Sequence, residues 1–91
     1  MNINGRERAI RKVLTISAVA LPSNDNIKYV QFFTGAANSG NVTILESDGV
    51  SEIAVIDANT SLTIPTLTNN LNEFQVKGTA ADILHIIPLK S

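Results

Sequence analysis

The 91-residue chain has no cysteine, no tryptophan and a single histidine, His85. Without cysteine there is no disulfide framework and no thiolate metal site. A catalytic histidine needs an orienting acid and a nucleophile or substrate within reach. A metal centre needs about three protein ligands. Asp82 is near His85 in sequence, but three residues along a strand place it on the opposite face. His85 therefore reads as a histidine at a sandwich surface or interface. Charge is also scarce, at 16% Asp, Glu, Lys and Arg against about 25% in ordinary domains. A small domain has proportionally more surface to cover, so part of this surface is expected to meet a partner rather than water. No apolar run reaches the ~20 residues of a membrane span, and residues 1–12 hold no apolar stretch of signal-peptide length. No membrane association is expected.

The few charges are unevenly placed. Residues 1–12 carry Arg6, Arg8, Arg11 and Lys12 against Glu7. The rest of the chain carries Lys28, Lys77 and Lys90 against Asp25, Glu46, Asp48, Glu52, Asp57, Glu73 and Asp82. A basic N-terminal arm, residues 1–12, leads an acidic body, residues 13–91. The arm reads either as a simply solvated extension or as a segment that docks on the acidic body of a neighbouring copy or on another protein. Four charges give only a weak, salt-sensitive grip on phosphates, so nucleic acid is not an expected partner. The acids lack the clustered alternation of a calcium loop: Glu46-Ser47-Asp48-Gly49 offers two carboxylates. No Gly-x-x-x-x-Gly-Lys pattern marks a phosphate loop. Neither catalysis nor a cofactor is expected.

Short β-branched and apolar segments separated by Gly, Asn, Asp and Pro make up the rest. Seven strands are expected: 13–21, 27–34, 41–46, 52–57, 61–64, 73–77 and 82–89. Asp48-Gly49 carries the signature of a tight hairpin turn. Leu67 and Leu71 are expected to plug the space under a polar loop. Residues 34–37 and 78–81 are small-residue corners that each launch a β-branched strand. Strands at this spacing without a convincing helix predict an all-β fold, an antiparallel β-sandwich or jelly-roll-like small barrel with an N-terminal extension.

Two strands break the usual alternation of one apolar and one wet face. Strand 27–34 places Ile27, Tyr29, Gln31 and Phe33 on one side and Lys28, Val30 and Phe32 on the other. Strand 82–89 sets Ile83, His85 and Ile87 against Leu84 and Ile86. Such strands are either central and covered twice or joined to a partner. Phe32, Phe33, Ile83, Leu84, Ile86 and Ile87, together with Arg6, Arg8, Arg11 and Lys12, are the candidate interface residues.

The stretch from Lys28-Tyr29-Val30-Gln31-Phe32-Phe33-Thr34-Gly35 through Asn38-Ser39-Gly40 to Val42-Thr43-Ile44, and the ending Phe74-Gln75-Val76-Lys77-Gly78-Thr79-Ala80-Ala81-Asp82-Ile83, carry a resemblance. Over residues 27–89 the chain resembles small β-sandwich virion structural proteins of tailed bacteriophages, of the capsid-decoration or head-fibre-base type. The shared pattern is an Asn-Ser-Gly turn into a Val-x-Ile strand, then a Gly-Thr-Ala-Gly/Ala-Asp corner before an apolar last strand. Glu46-Ser47-Asp48-Gly49 and Asn59-Thr60 depart from it. The resemblance implies a homo-oligomer, with a trimer as the working expectation. Its partners would be its own copies and the major capsid protein or other virion proteins. It would be made in the bacterial host cytoplasm and reside on the capsid surface. It implies no enzymatic activity and no cofactor. The alternative is a tail or adhesion component that binds a host-surface glycan or receptor. The lack of tryptophan and the single tyrosine count against a sugar-binding module.

Overall fold

The computed structural model describes residues 9–90. Their alternating segments form eight strands: β1 (Ile10–Val13), β2 (Val19–Ala20), β3 (Ile27–Thr34), β4 (Val42–Glu46), β5 (Glu52–Ile56), β6 (Ser61–Pro65), β7 (Phe74–Lys77) and β8 (Ile83–Lys90). One three-residue 3-10 turn, Leu71–Glu73, precedes β7. The strands make two four-stranded sheets, β1-β8-β3-β6 and β2-β7-β4-β5, with antiparallel pairing throughout.

This order follows from one long hairpin wrapped on itself. Its tip is the β4–β5 turn, and its arms pair as β3 with β6, β2 with β7 and β1 with β8. Wrapping then brings β3 beside β8 and β4 beside β7. The arms stay bonded through each corner: Leu14 N–H donates to the Asp82 carbonyl (2.8 Å), Leu21 N–H to Phe74 (3.1 Å) and Thr34 N–H to Thr60 (2.9 Å). The result is a jelly roll, the all-β sandwich expected from the sequence, with eight strands rather than seven.

The extra strand comes from residues 13–21, which read as one strand but form the end of β1, a corner and β2. Thr15 turns the corner by donating its hydroxyl to the Ser17 carbonyl (2.7 Å), and Ile16 projects into solvent. β1 begins at Ile10, so Arg11 and Lys12 are strand residues paired with β8 rather than part of an arm. Ile10 packs on the core, which is why the strand starts there. Arg6 and Arg8 lie outside the described residues.

Between the sheets sit Leu14, Leu21, Ile27, Val30, Phe32, Val42, Ile44, Ile56, Leu71, Phe74, Val76, Leu84 and Ile86. Phe32 of one sheet meets Phe74 of the other edge-to-face, with centroids 5.6 Å apart, a favoured aromatic geometry. A bulge between Ile27 and Tyr29 turns Ile27 inward, away from the side of Tyr29, Gln31 and Phe33 where simple alternation placed it. Leu71 is buried as expected. Leu67 is exposed instead, because Glu73 holds that loop from outside by accepting the N–H groups of Leu67 (2.7 Å) and Thr68 (2.6 Å).

One end of the roll is closed by a latch. The buried Asp82 carboxylate accepts the N–H of Ser39 (2.9 Å) and of Gly40 (3.0 Å). Asn38 clasps Ile83 through both its backbone groups: Asn38 Nδ2 donates to the Ile83 carbonyl (2.8 Å) and Ile83 N–H donates to Asn38 Oδ1 (3.0 Å). A Cβ on Gly40 would lie 2.5 Å from Thr79 Oγ1, so glycine permits the close approach. The Asn-Ser-Gly turn and the Gly-Thr-Ala-Ala-Asp corner, far apart in sequence, are thus two halves of one structural joint.

Candidate functional site

Alternation along paired strands decides which side chains leave the core. In β1-β8-β3-β6 the inward set is Ile10, Val30, Phe32, Leu62, Ile64, Leu84 and Ile86. Their neighbours one residue away point outward. Strand register arranges that outer face in rows. Val13 stands beside Ile83, Arg11 beside His85, His85 beside Phe33, Ile87 beside Gln31, and Leu89 beside Tyr29. Apolar and aromatic groups dominate it. Val13 is 51% exposed and Tyr29 43%, Arg11 is exposed as well, and the rest are half-buried.

At its centre the Phe33 and His85 rings stack, with centroids 4.8 Å apart and planes 13° apart. This is a cross-strand pair of the kind that stabilises aromatic neighbours. His85 has Arg11 on its other side in register. Among the described residues no group of three or more His, Cys, Asp or Glu could hold a metal ion. No helix among them is long and apolar enough to cross a membrane.

The sequence-derived interface set divides on this sheet. Phe33, Ile83, Ile87 and Arg11 lie on the outer face. Phe32, Leu84 and Ile86 do not: each is fully buried and faces the opposite sheet. Both faces of β3 and β8 read as apolar, and sequence alone could not say which one met the core. Lys12 sits half-buried on the inward side of β1, across from Leu84. Val13, Tyr29, His85 and Leu89 belong to the outer face and were not in that set. Tyr29, His85 and Leu89 carried a signal, since each lies at an even spacing from Phe33 or Ile87; Val13 did not, because its place across from Ile83 comes from the register of β1 with β8.

A shallow groove of about 460 Å³ opens on the β3–β6 side of the same face. Gln31, Phe33, Ile87, Asn59, Thr60 and Ser61 line most of it. A second, more apolar cleft of about 270 Å³ lies at the open edge between β5 and β6, among Ile53, Ile64, Pro65, Leu67 and Phe74.

The outer face of β2-β7-β4-β5 has a different composition. Register puts Ala20, Gln75 and Leu45 in one row and Lys77, Thr43 and Val55 in another. Leu45 is fully buried yet stands outside the core cluster. The β4–β5 turn folds over this side, held by Gln75 Nε2 donating to the Ser47 carbonyl (2.9 Å). Asp48 organises the turn by accepting the N–H groups of Val50 and Ser51 (both 2.8 Å) and the Ser51 hydroxyl (2.6 Å). Those donors, the Ser51 hydroxyl first, hold its carboxyl below the usual carboxylate value.

No family model and no curated protein matches the chain. Solved structures do. The chain is similar to one from Bacillus endospore appendages, a family of disulfide-linked pili, at 17% identity. That match covers 93% of this chain and 86% of the other, with a TM-score of 0.58. It is also similar to a protein from Neisseria meningitidis at 13% identity, over 99% of this chain and 80% of the other, with a TM-score of 0.53. At these identities the likeness is one of fold.

Proposed function

We propose that the chain is a non-enzymatic structural subunit that acts by burying the outer face of the β1-β8-β3-β6 sheet. Its setting is the surface of a tailed-phage particle, as a capsid decoration protein or the base of a head fibre. Copies of itself and the major capsid protein are its partners. The observation that carries this reading is the row of Val13, Ile83, Phe33, Ile87, Leu89 and Tyr29 on one sheet face. A contiguous apolar patch of this kind on a soluble domain marks an interaction surface. A standard interface buries about 800 Å² per partner, which a four-stranded face and its rim can approach. Arg11 at the β1 edge supplies orientation more than affinity. Support for the phage setting comes from the two resembling segments, whose shared residues are the ones joined at the Asn38–Asp82 latch. The test is light scattering over a range of concentrations, followed by rebinding to capsids stripped of this protein. Oligomers that rebind are expected; a monomer at every concentration that fails to rebind would refute the reading.

A second reading is favoured by the similarity to the endospore appendage chain: a subunit of a fibrous appendage. This chain has no cysteine, so such a fibre would be held by surface burial and not by disulfides. Electron microscopy of the concentrated protein separates the readings, since filaments support the fibre and discrete particles the decoration protein.

A further inference from the structure

The groove beside Phe33 differs in chemistry from the apolar rows next to it. Its floor is the Phe33 ring and Ile87, and its rim is Gln31, Asn59, Thr60 and Ser61. No charged residue among the described residues lines it. Phe33 meets His85 through one ring face, which leaves the second for a ligand. The side chains of Gln31, Asn59 and Ser61 have no hydrogen-bond partner among the described residues. They therefore present two amides and a hydroxyl with unspent donors and acceptors.

The rim is held in place by the β5–β6 corner. Asn59 takes a left-handed backbone (φ 61°) and donates its N–H to the Gly35 carbonyl (3.3 Å). Thr60 N–H donates to Thr34 Oγ1 (3.1 Å), which in turn donates to the Asp57 carbonyl (2.7 Å). A corner fixed by three bonds loses little freedom when a ligand arrives. The groove, about 460 Å³ and open to solvent along its length, would take a ligand against one face only.

We infer that this groove binds a neutral saccharide, with one pyranose ring against Phe33 and its hydroxyls met by Gln31, Asn59 and Ser61. The lining selects this chemistry. An anion would find no cation among the described residues that line it. A purely apolar ligand would cover the amides and leave them unpaired. A pyranose has an apolar C–H face for the ring and a girdle of hydroxyls for the amides. Phe33 thus takes the platform role that the missing tryptophan would have filled. Phe33 and Ile87 also belong to the face that the proposed function buries, so a saccharide and a partner would compete for them, and the titration is made on monomeric chain, below the concentration at which light scattering shows association.

The test is a ¹H–¹⁵N NMR titration of the full chain with glucose, galactose, mannose and N-acetylglucosamine at up to tens of millimolar, with glucuronate and adenosine as controls. At least one neutral sugar is expected to bind with a roughly millimolar dissociation constant, as suits a ligand of about a dozen heavy atoms. Its shifts should saturate and centre on the amides of Gln31, Asn59, Thr60 and Ser61, leaving Thr43 and Lys77 unmoved. Asn59→Gly keeps the left-handed corner while removing the amide, and should weaken binding at least fivefold. Phe33→Ala should abolish it. Glucuronate should bind at least fivefold more weakly than the best neutral sugar. The inference is overturned if no sugar gives saturable shifts, if adenosine or glucuronate binds more tightly than every neutral sugar, or if Asn59→Gly leaves the affinity unchanged.

Discussion

The two sheets share one core but present different outer faces. The β1-β8-β3-β6 sheet carries Val13, Tyr29, Phe33, Ile83, Ile87 and Leu89 outward, around a stacked Phe33–His85 pair. The β2-β7-β4-β5 sheet carries Thr43, Gln75 and Lys77, and its buried outer Leu45 lies where the β4–β5 turn is tied back by Gln75. The first outer face carries the longer apolar row, while on the second Val55, 50% exposed, stands beside Thr43 and Lys77. The fold needs only the inner faces to be apolar, since that is where folding removes area from water. An apolar outer face therefore reports on something other than folding, and its position says where a partner would sit.

Adjacent residues on β3 break or sharpen this contrast most sharply. Phe32→Ala empties the centre of the core, where the ring is fully buried against Phe74, and should cost about 3–5 kcal/mol in denaturant unfolding. Phe33→Ala removes an outer ring stacked only on His85 and should cost about 1 kcal/mol. Equal losses would mean that the outer ring also holds the fold together.

Next in size is the latch. Asp82→Ala would strip the Ser39 and Gly40 N–H groups of their acceptor in a buried corner. A loss of about 2–3 kcal/mol is expected, since these bonds go to a charged group. Thermal melts of Asp82→Ala and Asp82→Asn would measure it, with the asparagine variant intermediate. Self-association at matched folded fraction should not change, because the latch closes the end of the roll and not its face.

The smallest effect belongs to the second sheet. Asp48 is fully exposed, and its carboxyl is held below 3.8 by the Ser51 hydroxyl, the Ser51 N–H and the Val50 N–H. A carboxyl lowered in the folded state stabilises the fold above its unfolded value, and that contribution is lost as pH falls through the lowered value. Acidification below about pH 4 should loosen residues 47–51, seen as faster amide exchange at Val50 and Ser51. The amides of β3 and β8 should be unaffected, and Asp48→Ala should reproduce the loosening at neutral pH.

Much of this was legible in the sequence. The β3, β4, β5, β6, β7 and β8 segments follow from β-branched runs bounded by turn residues, and the inward direction of Phe74 and Val76 from simple alternation. The first strand misled because residues 14–18 contain neither glycine nor proline. The corner there is imposed from across the roll, where Gly78 N–H donates to the Thr15 carbonyl (2.9 Å). Asp82 could not be recognised as a latch because its donors lie more than 40 residues away. The outer face was half legible. Strands β3 and β8 announced themselves as apolar on both sides, but choosing Phe33 over Phe32 required knowing which side met the second sheet. The groove residues Asn59 and Ser61 gave no signal beyond ordinary turn composition.

The contrast between the sheets is tested most directly by moving one charge between them. Leu89→Glu sits on the outer face of the first sheet and Val55→Glu on that of the second, where Val55 is 50% exposed. Light scattering across a concentration series, on variants shown to be folded, would compare their self-association with that of the parent chain. The account predicts at least tenfold weaker association for Leu89→Glu and no change for Val55→Glu. Equal association of all three proteins, or loss only with Val55→Glu, would contradict it.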